Sequence, residues 1–208
     1  MKKLTLAFCV LTFSSSIAYA ANVAEQTGNI AAGKAKATTC IACHGANGNG
    51  GANPLWPKLA GQHYGYLVKQ LQAFHTKGRE DPSMNAMTAP LSDADVYNLA
   101  AFFANQPRTK GAPSVGELLE MGRTIYRGGN KTTKVAACIA CHGPKGFGNP
   151  AASYPAISGQ KAAYVEKQLQ DFKSGARKLI HNVIIMHDVA IRMSDEEMAA
   201  VSNYIEGL

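Results

Sequence analysis

Two thiols and an imidazole, spaced Cys40-x-x-Cys43-His44, return unaltered ninety-eight residues later as Cys138-x-x-Cys141-His142 within a repeated CIACHG. Thiols two residues apart can reach the two vinyl groups of one porphyrin. The histidine directly after the second thiol then lies beneath the iron as an axial ligand, so Cys-x-x-Cys-His is an attachment pattern for c-type haem. A neutral imidazole nitrogen suits iron, and thioether links keep the ring from dissociating. A redox-active dithiol or a disulfide is compatible with an exported chain, but the βαβ context of a thioredoxin-like site is missing. A zinc site would also use Cys and His, yet each cluster offers at most three adjacent ligands, and the other histidines are not placed alike in the two copies. Two covalent haem c groups are expected, one on Cys40/Cys43 and one on Cys138/Cys141.

The repeat extends well past the motif. At the same offset Pro57 meets Pro155, Gly61-Gln62 meets Gly159-Gln160, and Tyr66, Lys69, Gln70, Leu71, Gln72 and Phe74 meet Tyr164, Lys167, Gln168, Leu169, Gln170 and Phe172. Further on the offset grows to 102, where Ser92-Asp93 meets Ser194-Asp195. This is an internal duplication with a four-residue insertion.

The duplication also selects a sixth iron ligand, because two like sites should place it in one register. Met84 and Met186 each lie eight residues before the paired serines. Met87 falls on Val189 and Met193 on Leu91, so neither has a counterpart. Methionine sulfur is a known axial partner of histidine on haem iron. Met87, Met193, Met121 and Met198 are read as core filler. Histidine is the competing ligand type, but His63 meets Lys161, His75 meets Lys173, His181 meets Arg79 and His187 meets Asn85, and surface or loop roles suit them. His187, next to Met186, is the one that still calls for a test.

Helices must position these groups. Tyr66, Leu67, Gln70, Leu71 and Phe74 recur at spacings of three and four, as do Tyr164, Val165, Gln168, Leu169 and Phe172. Ser92 opens a closing helix with Asp93, Asp95, Val96, Leu99 and Phe103, and Ser194 opens its counterpart with the capping pair Ser194 and Glu197. Ile30 to Thr38 and Leu118 to Arg127 read as a further helix before each motif, ended in the second copy by Gly128-Gly129. Val183-Ile184-Ile185 is read as loop or core. The fold class is therefore all-α, in two tandem domains. Units this small have little apolar core and need a staple, which a buried porphyrin would supply.

Met1-Lys2-Lys3, the apolar run from Leu4 and the closing Ala18-Tyr19-Ala20 make a secretory signal at residues 1–20, cleaved after Ala20 and carrying Cys9 with it. The apolar run is shorter than the roughly 20 residues that span a bilayer. The domains are placed at 21–108 and 114–208, around a linker at 109–113 rich in Pro, Gly and charge. With 21 basic and 14 acidic residues in the whole chain, neither half is a basic block of the kind that binds nucleic acid.

These residues resemble the dihaem cytochrome c4 family over essentially the whole mature chain, from the two Cys-x-x-Cys-His sites through the Pro57–Gln62 and Pro155–Gln160 segments and Met84 and Met186 to the closing Tyr204-Ile205-x-Gly207-Leu208. The resemblance implies two cytochrome c folds in a pseudo-twofold arrangement whose haem propionates approach each other. It also implies that the carbonyls of Pro57 and Pro155 accept hydrogen bonds from the axial histidines. The longer segment from Gly122 to Cys138 departs from the first copy, and Arg127-Gly128-Gly129 is expected to help form the domain interface.

A His/Met pair fills both axial positions on iron and leaves no place for a substrate, so an electron carrier is expected rather than an enzyme. The partners are then redox proteins: a quinol-oxidising cytochrome complex and a terminal oxidase for a periplasmic shuttle, or a dehydrogenase such as a flavoprotein sulfide dehydrogenase for a subunit. A peroxidase-like protein with one open haem is a third reading. A monomer without nucleic acid is expected, and peripheral contact with the membrane stays open.

Overall fold

The computed structural model describes residues 28–177 and 183–208. Residues 1–20, expected to be a secretory signal, and His181 lie outside them. The first domain contains α1 (Ile30–Lys36), a single 3-10 turn, α2 (Ile41–His44), α3 (Tyr64–His75), α4 (Pro82–Thr88) and α5 (Asp93–Ala104). The second repeats the order with α6 (Glu117–Gly128), α7 (Ile139–His142), α8 (Ala162–Ser174), α9 (Val183–Ala190) and α10 (Asp195–Glu206). Extended pairing among the described residues is limited to the isolated bridges Asn130–Val135 and Asn149–Tyr154.

The closing helix of each domain is its packing centre. Both begin with a reciprocal capping box, Ser92 with Asp95 and Ser194 with Glu197, in which each side chain satisfies an otherwise orphaned N–H of the first turn. The stripe of α5 puts Val96, Leu99 and Phe103 into a core with Leu67, Val68 and Ala37. In the second domain Met198, Val201 and Ile205 of α10 join Ile125, Tyr126, Leu169 and Phe172. Full burial of a side chain such as Leu99 stabilises a domain by about 1.5–3 kcal/mol.

The first helix crosses the last one at a glycine in both copies. A Cβ on Gly33 would stand 2.0 Å from the Asn98 carbonyl oxygen, and one on Gly122 would stand 2.0 Å from that of Ala200. Only a residue without a side chain lets the two backbones approach so closely.

Two expectations need correction, and one helix had gone unread. Val183-Ile184-Ile185 is not a loop: it begins α9, and Ile184 and Ile185 are exposed rather than in the core. The short helix α4 had no periodic stripe to reveal it, although Asp81 caps it and Pro82 opens it. Finally, the longer segment from Gly122 to Cys138 serves the second domain itself. Arg127 donates to the Tyr204 hydroxyl, Gly129 ends α6, and Asn130 donates to Glu197 of α10.

Replacing Gly122 with Ala forces α6 away from α10. We expect the holoprotein to lose about 1–3 kcal/mol, the usual cost of overpacking, read as a lower thermal midpoint. An unchanged midpoint would show that the crossing has room to spare.

Candidate haem centres and the domain interface

Each Cys-x-x-Cys-His motif forms a single helical turn whose last residue is the histidine. Gly45 and Gly143 follow with φ of 83° and 75°, a left-handed turn that doubles the chain back. The N–H groups of Gly50 and Gly148 then close onto the carbonyls of His44 and His142. His44 and His142 are 7% and 8% exposed. The Nδ1–H of each donates at 2.9 Å to a proline carbonyl, His44 to Pro57 and His142 to Pro155.

A carbonyl oxygen can only accept, so Nδ1 carries the proton and the neutral ring keeps an unprotonated Nε2, the atom a metal takes. Burial holds both imidazoles below their ordinary pKa. The proline bond opposes that shift in both, and the charge of Lys161 adds to it at His44.

The cysteines fit thioether attachment better than their rival roles. Cys40, Cys43, Cys138 and Cys141 form no disulfide. Burial pushes the Cys40 thiol up and that of Cys138 up to about 11. A redox-active dithiol needs the reverse, a thiol made acidic by its surroundings. Among the described residues no three His, Cys, Asp or Glu side chains converge as a metal-holding group. The motifs Cys40/Cys43 and Cys138/Cys141 hold two covalent haem c groups.

Met84 and Met186 occupy matching short helices, α4 and α9, and both are half-buried. The Asp81 carboxylate accepts the Met84 N–H, and the Thr88 hydroxyl donates to the Met84 carbonyl. Met186 packs against the core of the second domain. Met193 and Met198 are core filler, as expected, but Met87 and Met121 stand 44% and 36% exposed and fill nothing.

The remaining described histidines brace backbone, and of them His75 is also exposed at the surface, as expected. His75 donates to the Thr88 carbonyl, where its counterpart Lys173 reaches the Met193 carbonyl. His187 donates to the Phe172 carbonyl at 2.7 Å. Its counterpart Asn85 does the same to Phe74, so one register position holds the methionine helix in both domains with different chemistry. His63 faces the backbone of Phe147 across the domain boundary.

The interface is built from polar residues that the duplication preserved. Gln62 pairs with both backbone groups of Ala156, and Gln160 with both of Lys58. Beside them Arg79 and Arg177 form a closed ring with Gln70 and Gln168. Arg79 donates to Gln70, Gln168 and Tyr164; Arg177 donates to Gln168, Gln70 and Tyr66. Each guanidinium also covers a phenylalanine of its own domain, 4.5 Å from the centroid of Phe74 or Phe172. Burial works to raise the pKa of the Tyr66 phenol, but the charges of Arg177 and Arg79 prevail and hold it below its ordinary value. The counterpart of Arg79 is thus Arg177, at the original offset, and not His181; the insertion begins after Arg177. Sequence reasoning noticed Gln62, Tyr66 and Gln70 as repeated letters but not their purpose. The available signal was that polar residues recurred without a part in attaching haem.

The sequence pattern of the cytochrome c family, described as "Cytochrome c", matches residues 30–107 and 126–208. The chain belongs to this family, as a dihaem protein of the cytochrome c4 type. It is 45% identical over 195 residues to cytochrome c4 of Azotobacter vinelandii, covering 89% of this chain and 92% of that one. The crystal structure of reduced recombinant cytochrome c4 from Pseudomonas stutzeri superimposes with a TM-score of 0.83 at 40% identity, covering 88% of this chain and all of that one. A protein of Thiomonas intermedia named thiosulfate dehydrogenase electron acceptor is 38% identical, with 84% of this chain and 81% of that one covered. The chain is a dihaem electron carrier and not an enzyme.

The planar fork of arginine, and not its charge alone, closes the interface ring. Replacing Arg177 with Lys or Ala should therefore cost the holoprotein at least about 1.5–3 kcal/mol, the worth of one hydrogen bond to a charged group. Denaturant unfolding reads the loss. A lysine variant as stable as the parent would show that the fork is not needed.

Proposed function

We propose that this protein is a periplasmic shuttle that takes electrons from a quinol-oxidising cytochrome complex or similar donor and delivers them to a terminal oxidase. His44 and Met84 are the axial ligands of the first haem, and His142 and Met186 those of the second. The observation that carries this reading is the matched pair of buried histidines with Nδ1–H committed to Pro57 and Pro155, each domain also presenting a half-buried methionine in the same register.

Bound haem supplies the one-electron couple of its iron. The chain's contribution is to hold the imidazoles neutral and aimed, to commit both axial positions, and to keep the surroundings rigid. Electron transfer then proceeds with little rearrangement, and methionine favours a high potential. Among the described residues no helix is long and apolar enough to cross a membrane, which suits a carrier exported by residues 1–20.

Redox partners with acidic surfaces fit this chain. A cleft of about 560 Å³ beside α6 carries Lys110, Arg123, Arg127 and Lys145 around Leu119 and Phe147. Its Glu120 is engaged with Arg123 at 2.8 Å.

A second reading, an electron acceptor dedicated to one dehydrogenase, is favoured by the similarity to the Thiomonas protein. Purification from the native membrane and periplasm separates the two: a stable, stoichiometric dehydrogenase companion would overturn the shuttle. For the ligands, Met84→Ala and Met186→Ala should each remove half of the methionine-to-iron charge-transfer absorption, while Met87→Ala leaves it whole. An unchanged spectrum in either of the first two would refute that methionine's assignment.

A further inference from the structure

One peptide group carries two contacts that join the domains to the histidines. The carbonyl of the Pro57–Lys58 peptide accepts His44 Nδ1–H at 2.9 Å, and the N–H of that same peptide donates to Gln160 Oε1 at 2.8 Å. In the other direction, the Pro155–Ala156 peptide accepts His142 Nδ1–H at 2.9 Å and donates to Gln62 Oε1 at 2.9 Å. Both chains of bonds run from a glutamine in one domain to a histidine in the other.

The glutamines are held firmly. Gln160 Nε2 donates back to the Lys58 carbonyl at 2.9 Å, and Gln62 Nε2 to the Ala156 carbonyl at 2.7 Å. Each Oε1 accepts a second N–H at the start of its own helix, from Lys161 at 3.0 Å or His63 at 2.9 Å. Two N–H groups facing one atom make that atom the oxygen, so the orientation of both carboxamides is determined by their neighbours.

Amide resonance links the two ends of the shared peptide. An acceptor on its N–H makes its carbonyl oxygen more negative, as in any polarised chain of hydrogen bonds. A more negative oxygen draws harder on the imidazole proton and leaves more electron density on Nε2, which raises the basicity of a ligating histidine.

We propose that Gln160 and Gln62 are positioning residues for the histidine of the opposite domain, each setting the donor strength of that imidazole through the single peptide they share. This rests on the reading of His44 and His142 as axial ligands. A stronger donor favours the more highly charged ferric iron. Losing a glutamine acceptor therefore raises the reduction potential of the haem across the interface.

The test uses the holoprotein with Gln160→Met, which keeps the length of the side chain and removes the amide, and its mirror Gln62→Met. Redox titration is followed by NMR on haem resonances assigned to each domain. Gln160→Met should raise the potential of the first-domain haem and move the His44 ring signals, leaving the second haem in place; Gln62→Met should do the reverse. Gln160→Glu retains an acceptor oxygen with more negative charge and should shift the first haem the other way. A shift confined to the haem of the substituted domain, an equal shift in both, or no shift in either overturns the crossed arrangement. The unsubstituted protein checks the ligands separately. If its spectrum lacks two histidine-ligated low-spin haems, the ligand reading fails; if it has them and the potentials do not move, only the crossed tuning fails.

Discussion

Each domain is organised around a single proton, the one that a buried histidine Nδ1 shares with a proline carbonyl. That proton decides which face of the imidazole remains to bind a metal, and it can be held there only if the peptide carrying the carbonyl is fixed. The left-handed glycine after each motif turns the chain, the closing bonds from Gly50 and Gly148 fasten the loop, and the proline segment arrives at the correct height. Cysteine placement follows from the same turn, because the thiols precede the histidine on one short helix.

The apolar cores hold the helices that carry this arrangement. Two small clusters, each centred on its closing helix, hold the helices at the glycine crossings. Between the domains the chemistry changes. The two halves meet largely through carboxamides, guanidiniums and phenols, and the direction of those bonds gives the pairing its specificity. Leaving any of these partly buried groups unpartnered costs more than its bond contributes, so the interface favours one relative placement over its neighbours.

How far the sequence spoke for itself depended on whether chemistry required adjacent residues. Cys40, Cys43 and His44 must lie within one short stretch to meet one porphyrin, so the motif and its repeat were readable at once. Met84 and Met186 are distant from the motif, and only the register of the duplication singled them out. Pro57 and Pro155 came through resemblance to a family, since a proline by itself signals only a turn. The helices α4 and α9 escaped notice because seven or eight residues are too few to show a helical stripe. The interface escaped because Gln62 and Arg79 belong to no motif, and Tyr66 and Gln70 read as members of the stripe of α3. Their partners lie about a hundred residues away, and their pairing exists only after both domains have folded.

The central claim is that both irons have the same axial pair, one imidazole nitrogen and one methionine sulfur. X-ray absorption at the iron edge of the holoprotein tests it most directly. The account predicts a single six-coordinate low-spin population averaging one sulfur ligand per iron, unchanged between the half-reduced and fully oxidised protein. An average near half a sulfur per iron, or an open sixth position at either centre, would contradict it.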